Sequence, residues 1–251
     1  MKRFAFLLVL MMSALFGYAQ KGKSTPAKPA ESTPPKEDPA ASNPRAVMAQ
    51  IIVDHYARKY AVAQRWGDYD VAKDALYDLI AEFPGNDSLI FSLAYFYFEN
   101  QKHASCAVVC NDLLARNSKN AAALELSAIS YENLGIKDKA LQNYESLFLV
   151  TSNNSTLYKM ASLQYDLKRY GESLTNADIL LSKPQTDSLK VVFSDAKNNS
   201  KEYPLRAAIL NLKGLSYKAQ GDTPNARKAF EEALKIDPAF EAAKQNLASL
   251  K

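Results

Sequence analysis

Histidine and cysteine are scarce in this chain, two of each in 251 residues, and so are glycine, with eight, and tryptophan, with one. Each shortage removes a class of chemistry. His55 and His103 stand far apart, and neither has a cysteine or carboxylate at the spacing of a convincing metal set. Without clustered glycines there is no loop to cradle a phosphate, and neither a serine on a strand-turn-helix elbow nor an HExxH pair occurs. No catalytic residue, metal or cofactor is therefore expected. Charge of one sign is lacking too: 31 basic side chains face 27 acidic ones, a formal net charge of +4, and no basic stripe of the kind that holds nucleic acid is present.

Long apolar runs are confined to the beginning. Lys2 and Arg3 precede an apolar stretch from Phe4 to Phe16, and the small residues Gly17 and Ala19 follow. That order predicts a secretory signal peptide over residues 1–19 with cleavage before Gln20. The run is short for a bilayer, so no retained transmembrane segment is expected, and no cysteine follows it to take a lipid. Without Lys2 and Arg3 the balance is 29 basic to 27 acidic, about +2. The expected location is outside the cytoplasm, in a bacterial periplasm or cell envelope; a short signal ending in Ala-Gln is similar to those of Bacteroidetes. Residues 20–45 are rich in Pro, Lys, Ser and Ala and hold no aromatic or large aliphatic side chain. They bury too little to offset their ordering entropy and read as a flexible, partly extended tether.

What the chain has in quantity is helical periodicity with a longer period laid over it. From Ala207 to Pro238 two amphipathic segments follow each other, apolar at Leu210, Leu212, Leu215 and Tyr217 and then at Ala226, Phe230, Ala233 and Leu234. Gly221 and Asp222 supply the turn, Thr223 is placed to accept from the free amides of the second helix, and Pro224 sits where a missing N–H costs nothing. Gly214, Ala226 and Ala233 alternate with Tyr217 and Phe230, as closely packed antiparallel helices require. The Gly214 position recurs at Ala161, Ala128, Ala94 and Tyr60, the Ala226 position at Ser173, Ala140, Cys106 and Ala72, and the turn glycine at Gly135 and Gly67. Phe230 is answered by Ala177, Tyr144, Cys110 and Leu76, and Ala233 by Leu180, Leu147, Leu113 and Leu79. A period near 34 residues with concordant registers predicts a stack of helix-turn-helix units.

The predicted repeats cover about 53–86, 87–120, 121–153, 154–186 and 207–240, with first helices at 46–66, 88–100, 121–134 and 155–167 and second helices at 70–83, 103–117, 137–150 and 170–182. The opening helix is longer than a repeat needs, and its extra turns, with Met48, Ile51 and Ile52, are expected to cover the exposed end of the stack. The period breaks between Leu181 and Arg206. There Val191 to Phe193, a turn cluster at Asp195 to Asn199, and a run ending at Tyr203 and Leu205 predict a small β-hairpin over about 187–205, lying against the helices or a partner. A final helix over 240–250 covers the last repeat. Cys106 and Cys110, one turn apart at core positions, are expected as buried thiols rather than a disulfide.

Gly214, Tyr217, Gly221, Ala226, Phe230, Ala233 and Pro238 stand at the signature spacing of the tetratricopeptide repeat, which this chain resembles over about residues 46–251; Leu210 replaces the family's usual tryptophan. The resemblance implies an all-α, right-handed α-solenoid of about five repeats with a C-terminal capping helix and the hairpin as an insertion. It also implies a concave groove lined by the first helix of each repeat. Carried over position by position, the groove holds Asp54, Ala57, Ala61, Gln64 and Arg65; Ser88, Phe91, Tyr95, Phe98 and Glu99; and Ala122, Glu125, Ile129, Glu132 and Asn133. Ser155, Tyr158, Ser162, Tyr165 and Asp166 follow, then Ala208, Asn211, Leu215, Lys218 and Ala219. Phe91, Tyr95, Phe98, Tyr158 and Tyr165 are the expected anchors. Glu99, Glu125, Glu132 and Asp166 favour a neutral or basic protein or peptide partner with apolar side chains. The carboxylate clamp of chaperone-binding family members is not carried over, because Ala122 and Leu126 stand where it would need cations. The function so implied is a non-catalytic interaction scaffold. Two alternatives stay open: a structural part of a cell-envelope assembly working through its convex face and hairpin, and an enzyme relying on Cys106 or an unrecognised site.

Overall fold

The structure, a computed structural model, describes residues 43–194 and 200–250. The expected signal peptide, residues 20–42 of the expected tether, and the turn cluster from Asp195 to Asn199 lie outside the described residues. The chain divides into two compact units, one ending at Phe96 and the other beginning at Tyr97.

In the first unit, α1 (Pro44–Trp66) and α2 (Tyr69–Glu82) pack as an antiparallel pair. Asn43 caps α1, its side chain accepting from the Arg45 amide at 3.0 Å, and Pro44 takes the first helical position, where its missing N–H costs nothing. Tyr60 and Ala63 are buried on α1, as are Ala72, Ala75, Leu76 and Leu79 on α2. Lys59 reaches across to Asp74 at 2.6 Å and Asp78 at 2.8 Å. The helix α3 (Asp87–Glu99) follows, capped by Asn86, and buries Ile90, Leu93, Ala94 and Phe96.

The second unit runs α4 (His103–Arg116), α5 (Ala121–Asn133), α6 (Lys137–Thr151), α7 (Asn154–Asp166) and α8 (Tyr170–Leu181). A 3-10 turn (Pro184–Ser188), strands β1 (Lys190–Ser194) and β2 (Ser200–Pro204), and helices α9 (Leu205–Ala219), α10 (Thr223–Ile236) and α11 (Glu241–Ala248) complete it. Each helix packs on the next in sequence, and the continuous core they form includes Leu124, Leu141, Tyr144, Leu157, Leu180 and Ile209. Cys106 and Cys110 are fully buried free thiols with their sulfurs 4.0 Å apart, as their core positions required. The hydrogen bond to Cys106, reinforced by burial, pushes the Cys110 thiol up from the ordinary thiol range.

One turn geometry recurs in all five repeats. Gly67, Gly135 and Gly221 have φ of 71°, 72° and 81°, and Gln101 and Lys168 take the same repeat position at 57° and 62°. The closing bonds recur with it: Lys168 donates to the Tyr165 carbonyl at 2.9 Å and Arg169 to that of Gln164 at 2.8 Å, as Gly221 does to Lys218 and Asp222 to Tyr217. This is the left-handed helix ending that satisfies the last free carbonyls, and two of the five repeats build it without glycine. One expectation at this turn fails. Asp222, not Thr223, caps α10: its carboxylate accepts from the Asn225 amide at 3.2 Å, while Thr223 is already helical. The turn is one residue shorter than the sequence spacing implied.

Close packing of α9 on α10 depends on Gly214. A Cβ at that position would come within 3.0 Å of three ring atoms of Phe230, which is itself fully buried. The hairpin forms where the period breaks, with Val191 opposite Tyr203 and Phe193 opposite Lys201. It lies on the helices of its own unit. The Tyr203 ring sits 4.4 Å from Phe240 and 5.9 Å from Phe193, and Phe193 is 5.1 Å from Phe240. In the extra turns of α1, Met48 and Ile51 are 58% and 55% exposed, while Ile52 is half-buried.

Candidate functional site

The residues carried over as a groove fall in both units. In the first, α3 presents Phe91 and Tyr95, each half-buried, and on α1 Gln64 donates to the Tyr60 hydroxyl at 3.1 Å while Arg65 is exposed. In the second, Phe98 is half-buried against His103, edge to face at 5.6 Å, and Glu99 is exposed. The helices α5 and α7 carry the fullest set. Glu125 is exposed, Ile129 is half-buried with its inner side on the core, and Tyr165 is half-buried 5.7 Å from the Tyr170 ring. Burial first, then Tyr170 and Asp166, raises the Tyr165 hydroxyl above the ordinary tyrosine range, so it stays a neutral donor and acceptor at neutral pH.

The charges are less acidic in effect than in composition. Glu132 accepts a 2.5 Å hydrogen bond from the Tyr144 hydroxyl and faces the Lys159 ammonium at 3.4 Å. Asp166 pairs with Lys137 at 2.7 Å. Lys137 and Lys159 are the residues that sequence reasoning missed here. Lys137 is separated from Asp166 by 29 positions, and only the packing of α6 on α7 brings the two together. Lys159 faces Glu132 of α5 from α7, one repeat further along, so a scan for helical neighbours within one segment does not find it. Glu99 and Glu125 are the carboxylates of the set on exposed positions for which no ion pair is formed with a described lysine or arginine.

The fifth repeat is closed to a ligand at its start. Ala208 is fully buried and Asn211 is 4% exposed, because α11 and the hairpin cover them; the Asn246 amide donates to the Asn211 side-chain oxygen at 2.8 Å. Lys218 is engaged by the Ser249 hydroxyl at 2.6 Å. Leu215 remains half-buried. Tyr158 is taken up in packing as well: its ring touches both the main core and the cluster of Tyr203, Ala208 and Phe240, and burial drives its hydroxyl well above the usual range. The open run in the second unit therefore ends at Tyr165 and Asp166. Among the described residues no group of three or more metal-ligating side chains forms, and no helix is long and apolar enough to cross a membrane.

Two segments match the family model of the tetratricopeptide repeat, residues 58–86 and residues 207–240. No curated protein matches the chain. Among solved structures, a tetratricopeptide repeat protein from Parabacteroides merdae superposes with a TM-score of 0.60 at 18% identity, over 79% of this chain and 72% of that one. MamA superposes with a TM-score of 0.58 at 14% identity, over 74% and 92%. YrrB, described as a TPR protein with an unusual peptide-binding site, does so with a TM-score of 0.60 at 9% identity, over 78% and 96%. At these identities the likeness is one of fold.

Proposed function

Because this chain belongs to the tetratricopeptide repeat family, we propose that it is a non-catalytic scaffold that binds a protein or peptide segment along the first helices of its repeats, principally α5 and α7. The observation that carries the reading is the pairing of partly open apolar side chains, Ile129 and Tyr165, with the exposed carboxylate of Glu125 on neighbouring helices. The core holds Ile129 on one side only and leaves the other to a ligand. Partly buried aromatic and aliphatic anchors inside a polar rim are the composition of a recognition surface. With Glu132 and Asp166 already facing Lys159 and Lys137, the net sign of the surface is only mildly negative, which supports a neutral or weakly basic segment with apolar side chains as partner. Phe91 and Tyr95 in the first unit, and Phe98 and Glu99 in the second, are proposed as further contacts. The bacterial periplasm or cell envelope is the proposed setting, on the strength of residues 1–19 alone.

The test is a titration against an array of extended peptides that vary in net charge and apolar content, read by fluorescence polarisation. The chain from Gln20 is compared with its Ile129→Ala/Tyr165→Ala and Glu125→Lys variants. Apolar, neutral to basic peptides are expected to bind, the double variant to lose at least tenfold in affinity, and Glu125→Lys to weaken basic peptides more than neutral ones. Equal affinity for all three proteins, with helicity intact, would move the working surface away from α5 and α7.

A further inference from the structure

The extra length of α1 carries an exposed apolar face. At 100° per residue, Val47, Ile51, His55, Arg58, Val62 and Trp66 fall within one 100° sector, together with Met48. All are exposed, with Met48 at 58%, Ile51 at 55% and Trp66 at 78%. The repeat register shows what this face is. The positions of His55 and Val62 recur in α5 as Ala123 and Ser130, in α7 as Thr156 and Leu163, and in α9 as Ile209 and Ser216, and every one of these is buried. In the second unit they are covered by the preceding helix, α4, α6 and α8 in turn. On α1 the same sector is open because no described helix precedes it.

We propose that this face is the interface of a homodimer in which α1 packs antiparallel on α1 of a second copy. The sequence of the face is close to a palindrome about the point between Tyr56 and Ala57. An antiparallel two-fold pair there sets Val47 opposite Trp66, Ile51 opposite Val62 and Met48 opposite the stem of Arg65, apolar against apolar at both ends of the contact. Near the axis, Asp54 of each copy stands within a turn of Arg58 of the other, so opposite charges meet across the pair, while Lys59 stays with Asp74 and Asp78 of its own chain. Val47, Met48, Ile51, Val62 and Trp66 expose on the order of 500 Å² of apolar surface, at the upper end of the largest patches that monomers carry. The stems of His55, Arg58 and Arg65 flank this patch and add to it, against the roughly 800 Å² per partner of a stable interface. Joining of the α1 face to α11 of another copy is disfavoured by chemistry, since the exposed residues of α11 include Glu241, Lys244 and Gln245. A self-complementary face closes at two copies instead of growing a fibre.

Sedimentation equilibrium of the chain from Gln20, at 1 to 100 µM, is the test. A dimer is expected, with Ile51→Asp and Val62→Asp each giving a monomer of unchanged helicity. Mixing an Ile51→Cys protein with a Val62→Cys protein under mild oxidation is expected to yield a disulfide-linked pair, whereas Ile51→Cys alone does not cross-link, because in this register its two copies lie about 16 Å apart along the helices. A monomer at 100 µM overturns the proposal. If that monomer dimerises once residues 20–42 are removed, the chain's own N-terminal segment is the occupant instead. A dimer that survives Ile51→Asp also overturns it.

Discussion

At Gly214 a single hydrogen atom sets how near α9 and α10 can approach. Two opposing effects act on Gly214→Ala: alanine favours the helix by up to about 1 kcal/mol, while a Cβ inside 3.0 Å of a fully buried ring forces the helices apart or the ring off its rotamer, at about 1–3 kcal/mol. The ring has nowhere to go, so the clash wins, and we expect Gly214→Ala to destabilise by about 1–2 kcal/mol in urea unfolding. Gly171 is the control. A Cβ there meets nothing within 4 Å, so Gly171→Ala is expected to be neutral or stabilising by up to about 1 kcal/mol. The Gly214–Phe230 complementarity was legible in the sequence, because both ends of it lie in one repeat. The pairings of Glu132 with Lys159 and Asp166 with Lys137 were not, since each joins residues of different repeats.

The hairpin is the element with the least structure of its own. Two strands are marginal in water, and these are held by Tyr203, which is 5% exposed, and Phe193, which meets the fully buried Phe240 edge to face at the entry to α11. The hairpin and α11 thus share one aromatic cluster and are expected to open together. Phe240→Ala should cost about 3–5 kcal/mol locally. Hydrogen exchange is the readout: the amides of β1, β2 and α11 should lose protection together, while α5 and α6 keep theirs. If β1 and β2 stay protected in the variant, another contact holds the hairpin. The strand runs were readable as alternating β-branched and aromatic residues; the docking partner was not, because Phe240 lies beyond an intervening pair of helices in sequence.

At the scale of the whole molecule the buried tyrosines report on cooperativity. Burial first, and the hydrogen bond to Glu132 second, raises the Tyr144 hydroxyl far above the usual tyrosine range, and burial does the same to Tyr158. A folded-state pKa above the unfolded value of about 10 means this contribution to stability is complete below pH 10 and declines above it, as the unfolded chain ionises and the folded one does not. In an alkaline titration followed at 295 nm, exposed tyrosines should ionise first. Tyr144 and Tyr158 should ionise only in the step in which helicity is lost, and the Tyr144→Phe/Tyr158→Phe variant should show a smaller late step. Ionisation of all tyrosines near pH 10 with helicity intact would contradict the packing described for both.

The amino-acid sequence alone determined the repeat period, the helix pairs, the break that becomes a hairpin and the burial of both cysteines, because these follow from spacing within about 34 residues along the chain. Only the tertiary structure decided which surfaces stay open. It closed Ala208 and Asn211 under α11 and the hairpin, drew Tyr158 into packing, neutralised part of the carboxylate rim with Lys137 and Lys159, and left the outer face of α1 bare. Exposure is set by which helix comes to lie on which. That depends on contacts between repeats, which a local pattern of apolar residues does not encode: the same stripe on α1 reads identically whether a neighbour covers it or not.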